Sequence, residues 1–232
     1  MPRIVVLGCG TGVGKTRLSV SLLRELDAFG QLAVGLKPIE SGVQAAHEGR
    51  AMTDAAVLAN ASSRGILTPE PPYALRDPVS PHLAARTQGV EIDPKVAVLW
   101  VQNVERELTP LVSSDMALWS VVETAGGVFS PLTVGCSNFD LALALEPAVW
   151  VLVAADALGV LHDVSACLQA MRARGRSPDH VVLSAAREPD ASTGSNAKEL
   201  QMLGLVTPTA VLNRNDDSGV QALVHQLLQS AR

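Results

Sequence analysis

The stretch Gly8-Cys9-Gly10-Thr11-Gly12-Val13-Gly14-Lys15-Thr16 follows an apolar run, Ile4 to Leu7, and precedes a helical pattern. A strand, a glycine-rich turn and a helix N-terminus in this order direct unpaired backbone N–H groups and the positive end of a helix dipole at an anion. Lys15 adds a mobile positive charge, and Thr16 offers a hydroxyl to Mg²⁺. The spacing fits a dinucleotide fingerprint less well. The stretch therefore predicts a nucleotide phosphate site rather than a glycine-rich turn that binds nothing.

Apolar strand patterns alternate with helical patterns along the rest of the chain. Each strand–helix–strand unit predicts a right-handed crossover between parallel strands. The expected fold class is α/β, a doubly wound, mostly parallel β-sheet flanked by helices, of the P-loop NTPase type. We expect residues 1–232 to form a single P-loop α/β domain. Its six strands are predicted at residues 4–7, 32–36, 117–122, 148–153, 181–184 and 206–211.

Several helices and loops have recognisable boundaries. The first helix should bury the face that ends at Phe29, and a later amphipathic helix should run from Ala97 to Leu111. Thr53-Asp54 has the chemistry of a helix start, and Pro81 suits the first position of another helix. We expect residues 38–53 to be a loop and residues 68–81, which are rich in proline, to be an extended surface segment.

Composition excludes several classes of function. Hydrophobic residues make up 47% of the 232 residues and aromatic residues only 3%, which predicts an aliphatic core. The formal net charge is −5, without a run of lysine or arginine, so we expect no nucleic-acid or membrane partner. The three cysteines are widely spaced, which argues against disulfides and zinc sites. With no apolar export segment before the first strand, a cytoplasmic location is expected.

Charged residues follow the strands whose carboxyl ends should meet the phosphate loop. In a doubly wound sheet, ligands bind at this edge, where residues 8–16, 37–42, 123–127 and 154–159 should converge. Lys37 follows the second strand, and two lysines beside a γ-phosphate stabilise charge during phosphoryl transfer. Glu123 follows a buried strand, and with Thr16 and Asp54 it forms a hard-oxygen set suited to Mg²⁺. Taken alone, Lys37 could equally be a solvated lysine on the surface, and Asp54 could be a carboxylate that only stabilises a helix start.

Taken together, these motifs resemble those of the dethiobiotin synthetase family. The similarity covers the first two thirds of the chain well and the last third in outline. It is carried by five motifs in register, which are Gly8–Thr16, Lys37-Pro38-Ile39-Glu40-Ser41-Gly42, Asp54, Ser80-Pro81-His82-Leu83 and the stretch Glu123-Thr124-Ala125-Gly126-Gly127-Val128-Phe129-Ser130-Pro131-Leu132.

The resemblance implies a ligase of biotin biosynthesis, a cyclo-ligase that uses ATP as co-substrate and Mg²⁺. In this reaction 7,8-diaminononanoate takes up CO₂ as a carbamate, ATP phosphorylates the carbamate, and the second amine closes the ring of dethiobiotin. It assigns catalysis to Lys37, Lys15 and Thr11. It assigns the metal to Thr16, Asp54 and Glu123, and substrate binding to Thr11, Lys37, Ser41, Gly159 and His162. It assigns nucleotide binding to Gly12, Val13, Gly14, Lys15, Thr16, Glu123, Gly126 and Ser184.

The family also works as a homodimer, in which the segment Leu158–Asp163 of a partner receives the substrate carboxylate. Here His162 replaces the usual asparagine, and Ser184 lies where family members often read adenine with an asparagine. Two alternatives stay open. One is a MinD-like switch ATPase, although such proteins carry a second lysine where this chain has Gly10. The other is a diverged nucleotide-binding paralogue with a different substrate.

Overall fold

Six parallel strands form the main sheet of the computed structural model, which describes residues 1–43, 52–112, 116–214 and 216–230. The described strands are β1 (Arg3–Gly8), β2 (Leu32–Leu36), β3 (Ile39–Ser41), β4 (Tyr73–Leu75), β5 (Leu118–Glu123), β6 (Pro131–Thr133), β7 (Cys136–Ser137), β8 (Val149–Asp156), β9 (His180–Ala185) and β10 (Ala210–Leu212). The order of the main sheet is β10-β9-β8-β1-β5-β2, with β1 between β8 and β5. Two further pairs are small, β3 with β4 and β6 with β7.

Helices cover both faces of this sheet. The described helices are α1 (Lys15–Ala28), α2 (Asp54–Ala61), α3 (Pro81–Thr87), α4 (Pro94–Leu108), α5 (Asn138–Ala144), α6 (Val160–Ala173), α7 (Asn196–Met202) and α8 (Ser218–Ser230). One apolar cluster joins the sheet to α1, α2 and α8 on one face, and a second joins it to helices that include α4 and α6 on the other. The doubly wound, parallel fold expected from the sequence is therefore confirmed.

Both predicted helix starts are confirmed. Thr53 caps α2, and its side chain accepts a hydrogen bond from the Ala56 amide at 3.1 Å. Pro81 occupies the first turn of α3. Within the described ranges, no helix has both the length and the apolar character needed to cross a bilayer.

Other boundaries differ from the sequence prediction. Phe29 lies beyond the end of α1 and is 39% exposed, because the chain leaves the helix before Gly30. Leu111 is 56% exposed, since a 3₁₀ turn after α4 breaks the helical period. The last strand begins at Ala210 rather than at residue 206. Both expected loops contribute a short strand, β3 and β4, and residues 44–51 of the first loop lie outside the described residues.

A buried ion pair lies near the amino ends of the strands, away from the phosphate loop. Glu105 of α4 is 4% exposed, and it accepts hydrogen bonds from Arg3 Nε at 2.8 Å and from Ser120 Oγ at 2.6 Å. We expect Glu105→Gln to lower the free energy of unfolding by about 1–3 kcal/mol, because the Arg3 guanidinium loses its charged partner. Urea unfolding would measure this loss. An unchanged midpoint would contradict the structural role of the pair.

Candidate active site

The phosphate loop leaves β1 at the centre of the sheet and enters α1 at Lys15. Two backbone hydrogen bonds fix its start, from Cys9 N to Val153 O at 2.8 Å and from Val128 N to Gly8 O at 2.7 Å. Gly14 has φ +95°, and a Cβ atom added there would lie 2.2 Å from Ser184 Oγ. This position therefore requires glycine for both its backbone conformation and its close packing.

A cavity of about 370 Å³ opens between this loop and the residues that follow β2 and β5. The register explains the convergence, because Val6 of β1 pairs with Glu123 of β5 and the carboxyl ends of both strands meet at this edge. Ten of the residues predicted from the sequence line the cavity, namely Thr11, Gly12, Gly14, Lys15, Thr16, Lys37, Ser41, Asp54, Glu123 and Gly126.

Lys37 lies at the centre of the charged groups. Its side chain is 4% exposed, and Nζ lies 2.7 Å from Asp54 Oδ2 and 2.5 Å from Glu123 Oε1. Burial opposes the charge, but the two carboxylates raise the pKa of Lys37 above its ordinary value. Burial likewise opposes ionisation of Asp54, yet Lys37 and Thr16 hold the pKa of that carboxyl below its ordinary value. Lys37 is thus a permanently charged ammonium.

Glu123 organises the oxygen ligands. Its carboxylate is 1% exposed, with Oε1 accepting a hydrogen bond from Thr16 Oγ1 at 2.9 Å and Oε2 accepting one from Ser19 Oγ at 3.0 Å. Among the described residues there is no cluster of three or more histidine, cysteine, aspartate or glutamate side chains that could hold a metal. One hydroxyl and two carboxylates fit Mg²⁺ when nucleotide phosphates complete its ligands, which is the arrangement Mg²⁺ favours.

Lys15 is the second buried ammonium. It is 6% exposed, and Nζ donates a hydrogen bond to Gly10 O at 3.2 Å. Burial lowers the pKa of Lys15 to about 8, and the charge of Lys37 adds to this effect while Glu123 opposes it. Among the described residues, its one hydrogen-bond partner is a carbonyl inside the loop, so the ammonium is available to an anion that enters the cavity.

Four predicted site residues lie outside the lining of this cavity. Val13 packs against the core, and Ser184 is 1% exposed with its hydroxyl against Gly14. Gly159 and His162 are exposed at the start of α6. The loop after β8 does not join the cavity as expected, because Asp156 instead accepts hydrogen bonds from Gly194 N at 2.8 Å and Asn196 Nδ2 at 2.7 Å.

The structure also adds residues to which the sequence assigned no role, although Glu40 and Ala125 lie in stretches that were expected to converge at this edge. Glu40, Arg17, Ala125 and Arg187 line the cavity, and Ser19 supports Glu123 from α1. Ser19 could have been found from the helical period, since it lies three residues after Thr16 on the same helix face. Glu40 is buried, which raises its pKa even though it accepts backbone hydrogen bonds. Its role depends on contacts with α2 that spacing does not reveal.

Comparisons with known proteins identify the family of this chain. A family model described as an AAA domain matches residues 2–221. An ATP-dependent dethiobiotin synthetase BioD from Anaeromyxobacter dehalogenans (strain 2CP-1 / ATCC BAA-258) is 35% identical over 218 residues, with 91% of this chain and 90% of the relative covered. One from Rhodopseudomonas palustris (strain TIE-1) is 38% identical over 172 residues, covering 74% and 69% of the two chains.

Solved structures support the fold. The MinD cell division protein of Aquifex aeolicus has a TM-score of 0.56 at 12% identity, with 99% of this chain and 97% of that chain covered. HypB from Helicobacter pylori has a TM-score of 0.53 at 13% identity, covering 99% and 86%. These likenesses concern the fold alone, whereas the sequence relatives decide the family. This chain belongs to the dethiobiotin synthetase family.

Proposed function

We propose that this protein catalyses the ATP-dependent carboxylation and ring closure of 7,8-diaminononanoate to dethiobiotin, a step of biotin biosynthesis. The observation that carries the proposal is the pair of buried ammonium groups, Lys15 and Lys37, in one cavity with Thr16, Asp54 and Glu123. Relatives at 35% identity bear the name ATP-dependent dethiobiotin synthetase and span nearly the whole chain. The name of these relatives indicates the reaction, and the side chains that line the cavity are chemically suited to it.

The reaction needs positioning and charge rather than a covalent protein nucleophile. One amine of the substrate adds to CO₂ and loses a proton to give a carbamate. A carbamate oxygen then attacks the γ-phosphorus of ATP, and ADP departs as the bond to the bridging oxygen breaks. The second amine attacks the carbamate carbon, loses a proton and expels inorganic phosphate, which closes the cyclic urea. In each step negative charge develops or shifts on oxygen atoms, which lysine ammonium groups can stabilise.

Several of the residues that line the cavity have a role in this scheme. Lys37 and Lys15 neutralise the carbamate and γ-phosphate oxygens, and they act as catalytic residues. Thr11 hydrogen-bonds the carbamate, and Ser41 positions the diamine. The backbone of Gly12, Gly14 and Gly126 surrounds the phosphates.

The proposal includes Mg²⁺ held by Thr16, Asp54 and Glu123. The ion supplies charge stabilisation on the β- and γ-phosphate oxygens when it is bound with nucleotide. Glu123 and Thr16 are already joined by a hydrogen bond of 2.9 Å, so two of the three groups are oriented before any ligand enters.

We further propose a cytoplasmic homodimer in which residues 1–232 of each copy form a single P-loop α/β domain. The exposure of Gly159 and His162, away from the cavity of their own chain, supports a role towards a partner. Backbone N–H groups at the start of α6 are suited to a carboxylate. Ser184, which packs on Gly14, is proposed to contribute to nucleotide binding from below the loop.

The test of this function is phosphate release with Mg²⁺ and ATP, in the presence and absence of 7,8-diaminononanoate and bicarbonate. We expect release to require the diamine. Phosphate release at the same rate with and without the diamine would contradict the proposal in favour of a switch ATPase. So would phosphate release that a protein partner stimulates when no diamine is present. Replacing ATP by other nucleoside triphosphates in the same assay would show which base the site prefers.

The low pKa of Lys15 predicts proton uptake when nucleotide binds. At pH 8 about half of the Lys15 side chains are neutral in the free protein, and nearby phosphates raise the pKa. Binding should therefore take up about half a proton at pH 8 and almost none at pH 6, where Lys15 is already charged in both states. Titration calorimetry in buffers with different ionisation enthalpies measures this number.

Lys15→Arg is the matched control, because a guanidinium stays charged across this range. Its proton uptake at pH 8 should vanish. Uptake that is equal in the two proteins would show that another group titrates.

A further inference from the structure

We propose that Glu40 is a positioning residue that holds the start of α2, and with it Asp54, in place for Mg²⁺·nucleotide. The inference rests on the proposed function, because it assumes that Asp54 helps to hold the metal. Glu40 lines the cavity, and its two carboxylate oxygens accept hydrogen bonds from the start of α2.

The contacts of Glu40 are directed at the helix start. Its side chain is 5% exposed, with Oε1 accepting a hydrogen bond from the Asp54 amide at 2.6 Å and Oε2 accepting one from the Ala55 amide at 3.0 Å. Asp54 and Ala55 are the first two residues of α2, whose amides have no partner inside the helix. A carboxylate at this end also complements the helix dipole. Glu40 thus clamps the helix end on which Asp54 lies.

The other end of α2 is fixed to the main sheet. Ser62 Oγ accepts a hydrogen bond from Gly35 N, and Ser63 Oγ accepts one from Ala33 N, each at 2.9 Å. The helix packs so tightly on β2 that a Cβ added to Gly35 would lie 2.9 Å from the Cβ of Leu58. With this end fixed on β2, Glu40 on β3 provides the tie at the opposite end. The hydrogen bonds at the two ends of α2 together fix the position of Asp54 at the edge of the cavity.

Asp54 depends on such a tie because much of its side chain is exposed to solvent rather than enclosed by the protein. The side chain is 43% exposed, whereas those of Lys37 and Glu123 are 4% and 1% exposed. Its carboxylate reaches Lys37 Nζ at 2.7 Å, and a small movement of the helix start would break this geometry. Residues that orient a metal ligand typically alter metal affinity by about 10–100-fold when they are replaced.

Two variants of Glu40 test the clamp. In Glu40→Ala both amides lose their acceptor, whereas in Glu40→Gln the amide oxygen can still accept one of the two hydrogen bonds. We expect the advantage that Mg²⁺ gives to nucleotide binding to fall about 10-fold or more in Glu40→Ala, and by a smaller factor in Glu40→Gln. The measurement is the Kd of ATP with Mg²⁺ and with EDTA, by titration calorimetry. The Kd in EDTA should stay within about twofold.

Thr53→Ala is the matched control. It removes the cap on the Ala56 amide of the same helix, yet leaves both Glu40 contacts in place. We expect its Mg²⁺ advantage to remain near that of the wild type. Amide hydrogen exchange of the peptide that contains Asp54 and Ala55 should rise in Glu40→Ala in the absence of any ligand, which reports the loss of the clamp independently of metal.

The outcomes separate this inference from the proposed function. If the wild type itself gains nothing from Mg²⁺, the metal assignment is wrong. If the wild type gains from Mg²⁺ but Glu40→Ala keeps the full advantage, the positioning role is wrong while the metal assignment stands. A rise in KM for the diamine with an unchanged Mg²⁺ advantage would also overturn the inference, since it would make Glu40 a substrate ligand.

Discussion

Lys37→Met is expected to reduce kcat for dethiobiotin formation by about 10²–10³-fold. Lys37 Nζ lies between Asp54 and Glu123 with only 4% of its side chain exposed, and neighbouring carboxylates keep it charged. A methionine fills a similar volume without the charge, so under the proposed mechanism the transition state loses an ammonium group that stabilises the transferring phosphoryl oxygens. Steady-state assays of ADP and dethiobiotin formation measure the loss. Retention of near-full kcat would remove Lys37 from the mechanism.

The variant should still bind Mg²⁺·ATP, because its phosphate loop and metal ligands remain. Some stability is lost as well, since Glu123 keeps its hydrogen bonds from Thr16 and Ser19 but lacks an ammonium partner. Glu105→Gln is the matched control, because it breaks a buried ion pair at the far end of the strands. Its kcat should equal that of the wild type even though its unfolding midpoint falls.

Gly14→Ala is expected to weaken ATP binding by about 100-fold or more and to destabilise the protein by about 2–4 kcal/mol. The backbone there has φ +95°, and the new methyl group would lie 2.2 Å from Ser184 Oγ and 2.6 Å from Ser184 Cβ. The loop must shift to relieve this clash, and a shift moves the backbone amides that we propose bind the phosphates. Calorimetric titration with ATP and thermal unfolding measure the two effects.

Gly12→Ala separates strain from steric clash. Gly12 also has a positive φ, of 73°, but an added Cβ would meet no atom within 4 Å. Its stability cost should be about 1 kcal/mol, the cost of the left-handed conformation alone. The double variant Gly14→Ala with Ser184→Gly should recover only the part that is due to the clash. Equal effects of the two alanine variants would show that Ser184 does not constrain the loop.

Sequence reasoning reached most of the fold because the strands are apolar runs and the helices have clear starts. The runs that became β1 and β2, the cap at Thr53 and the proline at residue 81 are local signals, and all match the structure. The prediction that Phe29 and Leu111 lie on buried helix faces was wrong, because periodicity alone does not show where a helix ends. The strands β3 and β4 were missed since each has only three residues and depends on pairing with the other.

The same distinction applies to the site. The sequence was enough to select Lys15, Lys37 and Glu123, because each lies at or beside the end of an element that meets the same sheet edge. It was not enough to find contacts between segments that are distant in the chain, such as the hydrogen bonds from the amides of Asp54 and Ala55 to Glu40. The assignment of Gly159 and His162 came from the family resemblance, and their exposed position in a single chain leaves it a prediction.

The most direct test of the proposed reaction follows oxygen from CO₂ into the products. The protein would be mixed with 7,8-diaminononanoate, Mg²⁺, ATP and CO₂ labelled with ¹⁸O at both oxygens, and the products would be analysed by mass spectrometry before the label exchanges with water. The proposed mechanism predicts dethiobiotin with one labelled oxygen and inorganic phosphate that has received the other. Phosphate without label, or phosphate formed without any dethiobiotin, would contradict it.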